Sequence, residues 1–262
     1  MNEKEDIYKK DVLRFALFMG ELMLSNGAET SRIEDTIKRI CSSRGFNYIN
    51  VFISPTSLII SDARFDGLTF LTTIKERNIN LNKIVLFNDF SRKFVSNKDI
   101  SAKDALKELK EINANAYSYP DYINYIFTGI GCAGFAFMIG GNNFLNFVLT
   151  TIASILAFIS YKKVMKISNI PAFSSLVASI IVSVIAVLLT EIGLISSPTT
   201  MIVGSIMPLL CGVVFIKGVR DLITGDLISG GARISEACLI SISIATGVGL
   251  ILDTWIKFGG AL

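Results

Sequence analysis

Along residues 11–25 the apolar positions Val12, Phe15, Ala16, Met19, Leu22 and Met23 recur every three or four residues, the period of an amphipathic helix. The polar stretch SNGAETSRIED interrupts the pattern, and Asn26-Gly27 suits a helix stop. A second helix is predicted next, with Ser31 and Glu34 as a capping box and Ile33, Ile37, Ile40 and Cys41 as its apolar face. NYINVFIS and SLIIS read as strands around a turn at Pro55, and LTFLTTI (68–74) as a third strand. Helices around 81–97 and 101–114 follow, the latter opened by Ser101 with Asp104. The expectation is a small cytoplasmic α+β domain over 1–116 and a linker over 117–121.

From residue 122 the pattern changes. Residues 122–161 hold no Asp, Glu, Lys or Arg, too long a run for one crossing of a ~30 Å hydrocarbon layer. GGNN at 140–143 divides it into helices over 122–140 and 144–161. Further uncharged runs cover 167–190, 192–216 and 237–252. The last spans about 24 Å as a helix and must take in the Arg233–Glu236 turn to cross. The expected fold is therefore an α-helical membrane protein, with five transmembrane helices over 122–262. Ser175, Ser179 and Ser183 recur on one face of the third span, and Gly129, Gly131 and Gly134 lie in the first, as small residues that let helices approach closely.

Charge sharpens the division. Residues 1–121 hold 18 of the 25 Lys and Arg and 17 of the 22 Asp and Glu, a mixed surface that gives no reason to expect nucleic acid. The predicted loop YKKVMK carries Lys162, Lys163 and Lys166, and Lys217 and Arg220 follow the fourth run, whereas GGNN and EIGLISSPTT hold no Lys or Arg. The positive-inside rule then predicts a multi-pass protein of the cell (inner) membrane. Its N-terminal domain is cytoplasmic, its C-terminus outside, and Trp255 anchors it at the interface. No short apolar run with a cleavage site follows the charged first residues, so no signal peptide is expected. The four cysteines have no disulfide or zinc spacing and read as small core residues. There is no histidine, P-loop or dinucleotide fingerprint, so no metal or cofactor is expected and an enzyme is the least favoured class.

Three separated stretches carry a resemblance. GELMLSNGAETSRIEDTI (20–37), with Gly27, Glu29, Thr30, Arg32 and Glu34, resembles the opening motif of the threonine/serine exporter family. VFISPTSLIIS (51–61) is similar to the strand–turn–strand that follows there, and MPLLCGVVFIKGVRDLITGDLISGGARISEA (207–237) to its membrane motif. The resemblance implies a subunit of a proton-coupled secondary exporter of small carboxylate metabolites, threonine and serine or a dicarboxylate such as succinate. It implies the larger, five-span half of a split pair, assembled with a smaller membrane subunit in an oligomer. Two positions depart from the pattern: Cys211-Gly212 stands where Pro-Gly is common, and Lys217 where Asn is common.

On that reading Arg220, Arg233 and Lys217 are expected to attract the substrate carboxylate, since a guanidinium matches a carboxylate bidentately. Glu236, next to the apolar run, is expected to carry the coupling proton, with Asp221 and Asp226 sharing that role or balancing the arginines. Pro208, Gly212 and Gly218 are expected to bend the fourth span, and Gly225 and Gly230-Gly231 to interrupt the polar stretch. The competing reading of the whole chain is a membrane-anchored metabolite sensor or regulator that binds its ligand in the soluble domain.

Overall fold

The computed structural model describes residues 3–64, 67–74, 77–117, 119–140, 143–195 and 197–259. It is mostly helical and forms two compact units, Met1–Ser118 with Lys217–Ala232, and Tyr119–Ile216 with Arg233–Leu262.

The first unit is organised around α1 (Glu3–Ser25), which starts well before residue 11. It packs against α2 (Thr30–Ser43), α3 (Leu81–Ser96), α4 (Ala102–Asn115) and the sheet. Val12, Leu13, Phe15, Ala16, Met19 and Met23 are all fully buried, so this helix is the centre of a core rather than a surface element. The sheet is an antiparallel meander of β1 (Ile49–Ser54), β2 (Ser57–Asp62) and β3 (Thr69–Thr73). Alternate residues Leu58, Ile60 and Asp62 of β2 face the core. Ser101 caps α4 by accepting from the Asp104 amide. Cys41 is buried, and burial pushes its thiol up to about 12.

One ion pair lies inside this unit. Lys9 of α1 donates to the Asp62 carboxylate at the end of β2, and both residues are buried. Burial alone would raise the Asp62 pKa, but the Lys9 bond and the Arg64 amide outweigh it and hold the carboxyl below its ordinary range.

The second unit contains α5 (Asp121–Ile139), α6 (Phe144–Ser168), α7 (Pro171–Glu191), α8 (Pro198–Ile206), the start of α9 (Gly212–Ile223) and most of α10 (Leu227–Lys257). Helices α5, α6, α7 and α10 are long and apolar enough to cross a membrane, and the bent pair α8–α9 makes a fifth candidate. Small residues set the packing. A Cβ on Gly129 would meet Ile155, one on Gly204 would meet Ala136, and one on Gly247 would meet Ser179 Oγ at 2.1 Å and the Leu176 carbonyl at 2.9 Å. Ser175, Ser179 and Ser183 are buried, and Ser154 donates to Ser205 across α6 and α8 at 2.9 Å.

Several expectations are corrected. YKKVMK is not a loop: it completes α6, which runs to Ser168 and ends at Asn169 in the left-handed region, because nothing before Asn169 breaks a helix. The fourth run is not one continuous helix over 192–216. Its helix opens at Pro198, passes through a 3-10 turn at Met207–Leu209, and is bent by 54° before α9. Besides these corrections, the indole of Trp255 is buried and donates to Glu191 at 2.5 Å, which ties α10 to α7. Cys238 is exposed, and Cys211 half-buried, because lipid-facing and interior positions are equally apolar. In GGNN, Gly141 and Asn142 lie outside the described residues, while Gly140 ends α5 and Asn143 caps α6.

Asp62→Asn leaves the Lys9 ammonium buried without its counter-charge, at a cost of about 3–5 kcal/mol. The detergent-purified variant is expected to melt below the wild type at pH 7. A depressed carboxyl stabilises above its ordinary range and loses that contribution as pH falls through its folded value, so the gap closes in acid; a gap independent of pH contradicts the pairing. In the second unit, Gly247→Val is expected to lower the melting midpoint by about 1–3 kcal/mol of stability through overpacking against α7. Gly249→Val, where a Cβ meets nothing, serves as the unaffected control.

Candidate functional site

The geometry of the candidate site starts with two helix ends. Helix α1 stops where the Ala28 amide returns to the Met23 carbonyl (2.9 Å) and the Gly27 amide to Leu24 (3.1 Å), with Gly27 at a φ of +86°. Far along the chain α9 stops the same way: the Asp226 amide returns to Asp221 (2.8 Å) and the Gly225 amide to Leu222 (3.1 Å), with Gly225 at +91°. Asp226 then caps the next helix at once, accepting from the Ser229 amide at 3.3 Å. Thus α9 and α10 meet at a tight corner held by backbone hydrogen bonds and one carboxylate.

The corner and the 27–30 turn belong to one unit, and their side chains interlock. Asp221, buried, accepts from Thr30 Oγ1 at 3.2 Å and from Ser229 Oγ at 3.1 Å, and the two hydroxyls lie 3.4 Å apart. Both hydroxyls come from first helical turns, of α2 and α10, whose dipoles favour a carboxylate. Arg220 Nη1 donates to Glu29 Oε1 at 2.5 Å, with both side chains partly exposed. Lys217 donates to the Gly27 carbonyl.

This arrangement changes the reading of α2. The predicted capping box does not form: the helix begins at Thr30, its N-cap is Glu29, and it has no side-chain cap. The Glu29 carboxylate is paired with Arg220 and the Thr30 hydroxyl with Asp221, so neither serves the helix end. A side-chain cap is worth about 1 kcal/mol, which this helix goes without. Ser31 and Arg32 are exposed, and Glu34 pairs with Lys38 one turn on at 2.6 Å.

The remaining predicted residues fall on either side of the corner. Arg233 is buried and Glu236 half-buried, one turn apart on α10. They lie one helical turn apart within a continuous helix, as expected, and Gly230-Gly231 do not interrupt it. Gly230 is instead a contact point, since a Cβ there would meet the Gly218 carbonyl at 2.8 Å and Leu222. Gly218 lies inside α9 rather than at a break; Pro208 lies in the 3-10 turn and Gly212 opens α9. Sequence reasoning missed Thr30 and Ser229 as partners of Asp221. The signal was there in hydroxyl residues at two helix starts.

A groove of about 430 Å³ lies elsewhere, between α8 and α10, lined by residues such as Ile202, Val203, Ile206, Ile244 and Val248. Its walls offer no cation to a carboxylate. Among the described residues no group of His, Cys, Asp and Glu is placed to hold a metal ion.

Residues 14–255 match the family model described as "Putative threonine/serine exporter". The chain is 22% identical over 250 residues to the "Probable threonine/serine exporter" of Mycobacterium tuberculosis, covering 93% of this chain and 46% of that protein. It is 24% identical over 256 residues to the "Threonine/serine exporter" of Corynebacterium glutamicum, covering 91% and 50%. Against the "Probable succinate transporter subunit YjjP" of Escherichia coli it is 22% identical over 253 residues, covering 94% and 96%. The chain therefore spans about half the length of these exporters and nearly all of that subunit. No solved structure matches. The family match runs through both the 27–30 turn and the α9–α10 corner that the fold joins, and the chain belongs to the threonine/serine exporter family.

Proposed function

We propose that this chain is one subunit of a secondary exporter that moves small carboxylate metabolites out of the cell, threonine and serine or a dicarboxylate such as succinate. It works in the inner membrane with a smaller membrane subunit, in an oligomer, and is driven by the proton gradient. Family membership supports the transport class, and the likeness in length to a protein named as a transporter subunit supports a partner. We place five crossings over 122–262, counting α8–α9 as one bent span, after a cytoplasmic domain over 1–116 and a linker over 117–121. The Lys162, Lys163 and Lys166 cluster at the end of α6, with no acid among them, supports a cytoplasmic position for that end and an outside C-terminus.

The single observation that carries the mechanism is the position of Arg233 and Glu236. They sit on α10 immediately before its uncharged stretch, at the edge of what a ~30 Å hydrocarbon layer covers. Ionisable groups within or bordering a span pair with one another or face a wet cavity, and they mark substrate and proton pathways. Arg233 receives the substrate carboxylate, and Glu236, one turn further in, exchanges the coupling proton as solute passes. Arg220 also holds Glu29, Lys217 the Gly27 carbonyl, Asp221 two hydroxyls, and Asp226 the start of α10. Substrate contact is assigned first to Arg233 and proton transfer to Glu236 on their position along α10.

The test is flux in proteoliposomes holding this chain with its smaller partner, loaded in turn with threonine, serine and succinate. Arg233→Ala is expected to raise the half-saturating concentration about tenfold or more, the equivalent of one lost charge-assisted hydrogen bond. Glu236→Gln is expected to remove the response of flux to an imposed pH gradient. Wild-type kinetics in both variants, at equal protein content, remove these assignments.

A further inference from the structure

The start of α2 breaks a local rule, and such exceptions concentrate where function is served. A helix in a soluble part ordinarily spends a hydroxyl or carboxylate on its own first-turn amides. Here the two side chains best placed to do so, Glu29 and Thr30, both turn to the α9–α10 corner. Stability alone does not explain the choice for Glu29, because its ion pair with Arg220 is partly exposed and such pairs add little. Backbone geometry is committed to the same contact: Gly27 is at a positive φ, and a Cβ on it would stand 3.4 Å from Lys217 Nζ and 3.2 Å from the Asn78 carbonyl. Beyond the corner, α10 continues without a break to Lys257 and carries Arg233 and Glu236 on its next turns.

We propose that Glu29 and Thr30 are positioning residues for solute movement: through Arg220, Asp221 and Ser229 they clamp the α9–α10 corner and hold the first turn of α10. The inference rests on the exporter reading above and gives the soluble domain a role in the transport step. Misplacement by about 1 Å far from a reacting group is enough to cost on the order of 100-fold in rate, so a loosened clamp acts on turnover.

Four proteins are compared in proteoliposomes with the partner subunit: wild type, Glu29→Arg, Arg220→Glu and the double swap. Each single reversal is expected to lower the maximal rate about tenfold with an unchanged half-saturating concentration, and the swap to restore it. Arg220→Lys and Glu29→Gln, milder changes, are expected to fall between and keep the assay usable if a reversal fails to fold. Three results overturn the proposal. Wild-type rates in the single reversals show that the clamp does not govern transport. A raised half-saturating concentration that the swap does not restore makes Arg220 a direct solute contact. No flux above empty vesicles in the wild type itself removes the exporter reading, and the positioning role with it.

Discussion

The structure depends most on a buried carboxylate. Asp221 comes from the last turn of α9 and is met by hydroxyls from the first turns of α2 and α10. A carboxylate out of water is tolerated only when its lone pairs are occupied, so the three elements cannot drift apart without exposing that cost. Around it the ends of α1 and α9 are closed by the same backbone motif, each with a glycine in the left-handed region. The corner is therefore defined by hydrogen bonds of fixed direction rather than by apolar packing alone. That distinction matters for a membrane protein, in which apolar surfaces are satisfied equally by neighbours and by lipid.

From this corner the helices diverge in chemistry. Helix α9 is amphipathic in its own right, with Gly218 and Asp221 buried and Ile216 and Ile223 exposed. Helix α10 is polar for its first turns and then uncharged for the length of a short crossing. The change falls at Arg233 and Glu236. Elsewhere in the membrane half, packing relies on glycines and serines, as at Gly204 against Ala136 and Gly247 against Ser179. Small residues at these contacts let the helix backbones approach closely.

Much of this was legible in the chain. The period-four pattern of Val12 to Met23, the alternation in SLIIS and the uncharged runs mark elements that the fold contains, since each element buries the face its pattern predicts. Element ends were read less well. YKKVMK looked like a loop because it is charged, yet lysines at a helix end keep their ammonium groups in water while the backbone stays helical. Ser31 and Glu34 looked like a capping box, a purely local inference; the partners of Glu29 and Thr30 lie about 190 positions away and no local pattern reveals them. Gly230-Gly231 looked like an interruption, whereas Gly230 is small because the Gly218 carbonyl passes over it. In the last two cases a contact outside the local pattern decided what a residue type was for.

The central claim is that the 27–30 turn and the α9–α10 corner form one cooperative piece of structure. Hydrogen exchange of the backbone amides over 218–230 in the intact, detergent-purified protein measures this directly. Exchange as slow as that of the α1 core amides is predicted. Exchange at the rate of an open loop, while α1 stays protected, would contradict it.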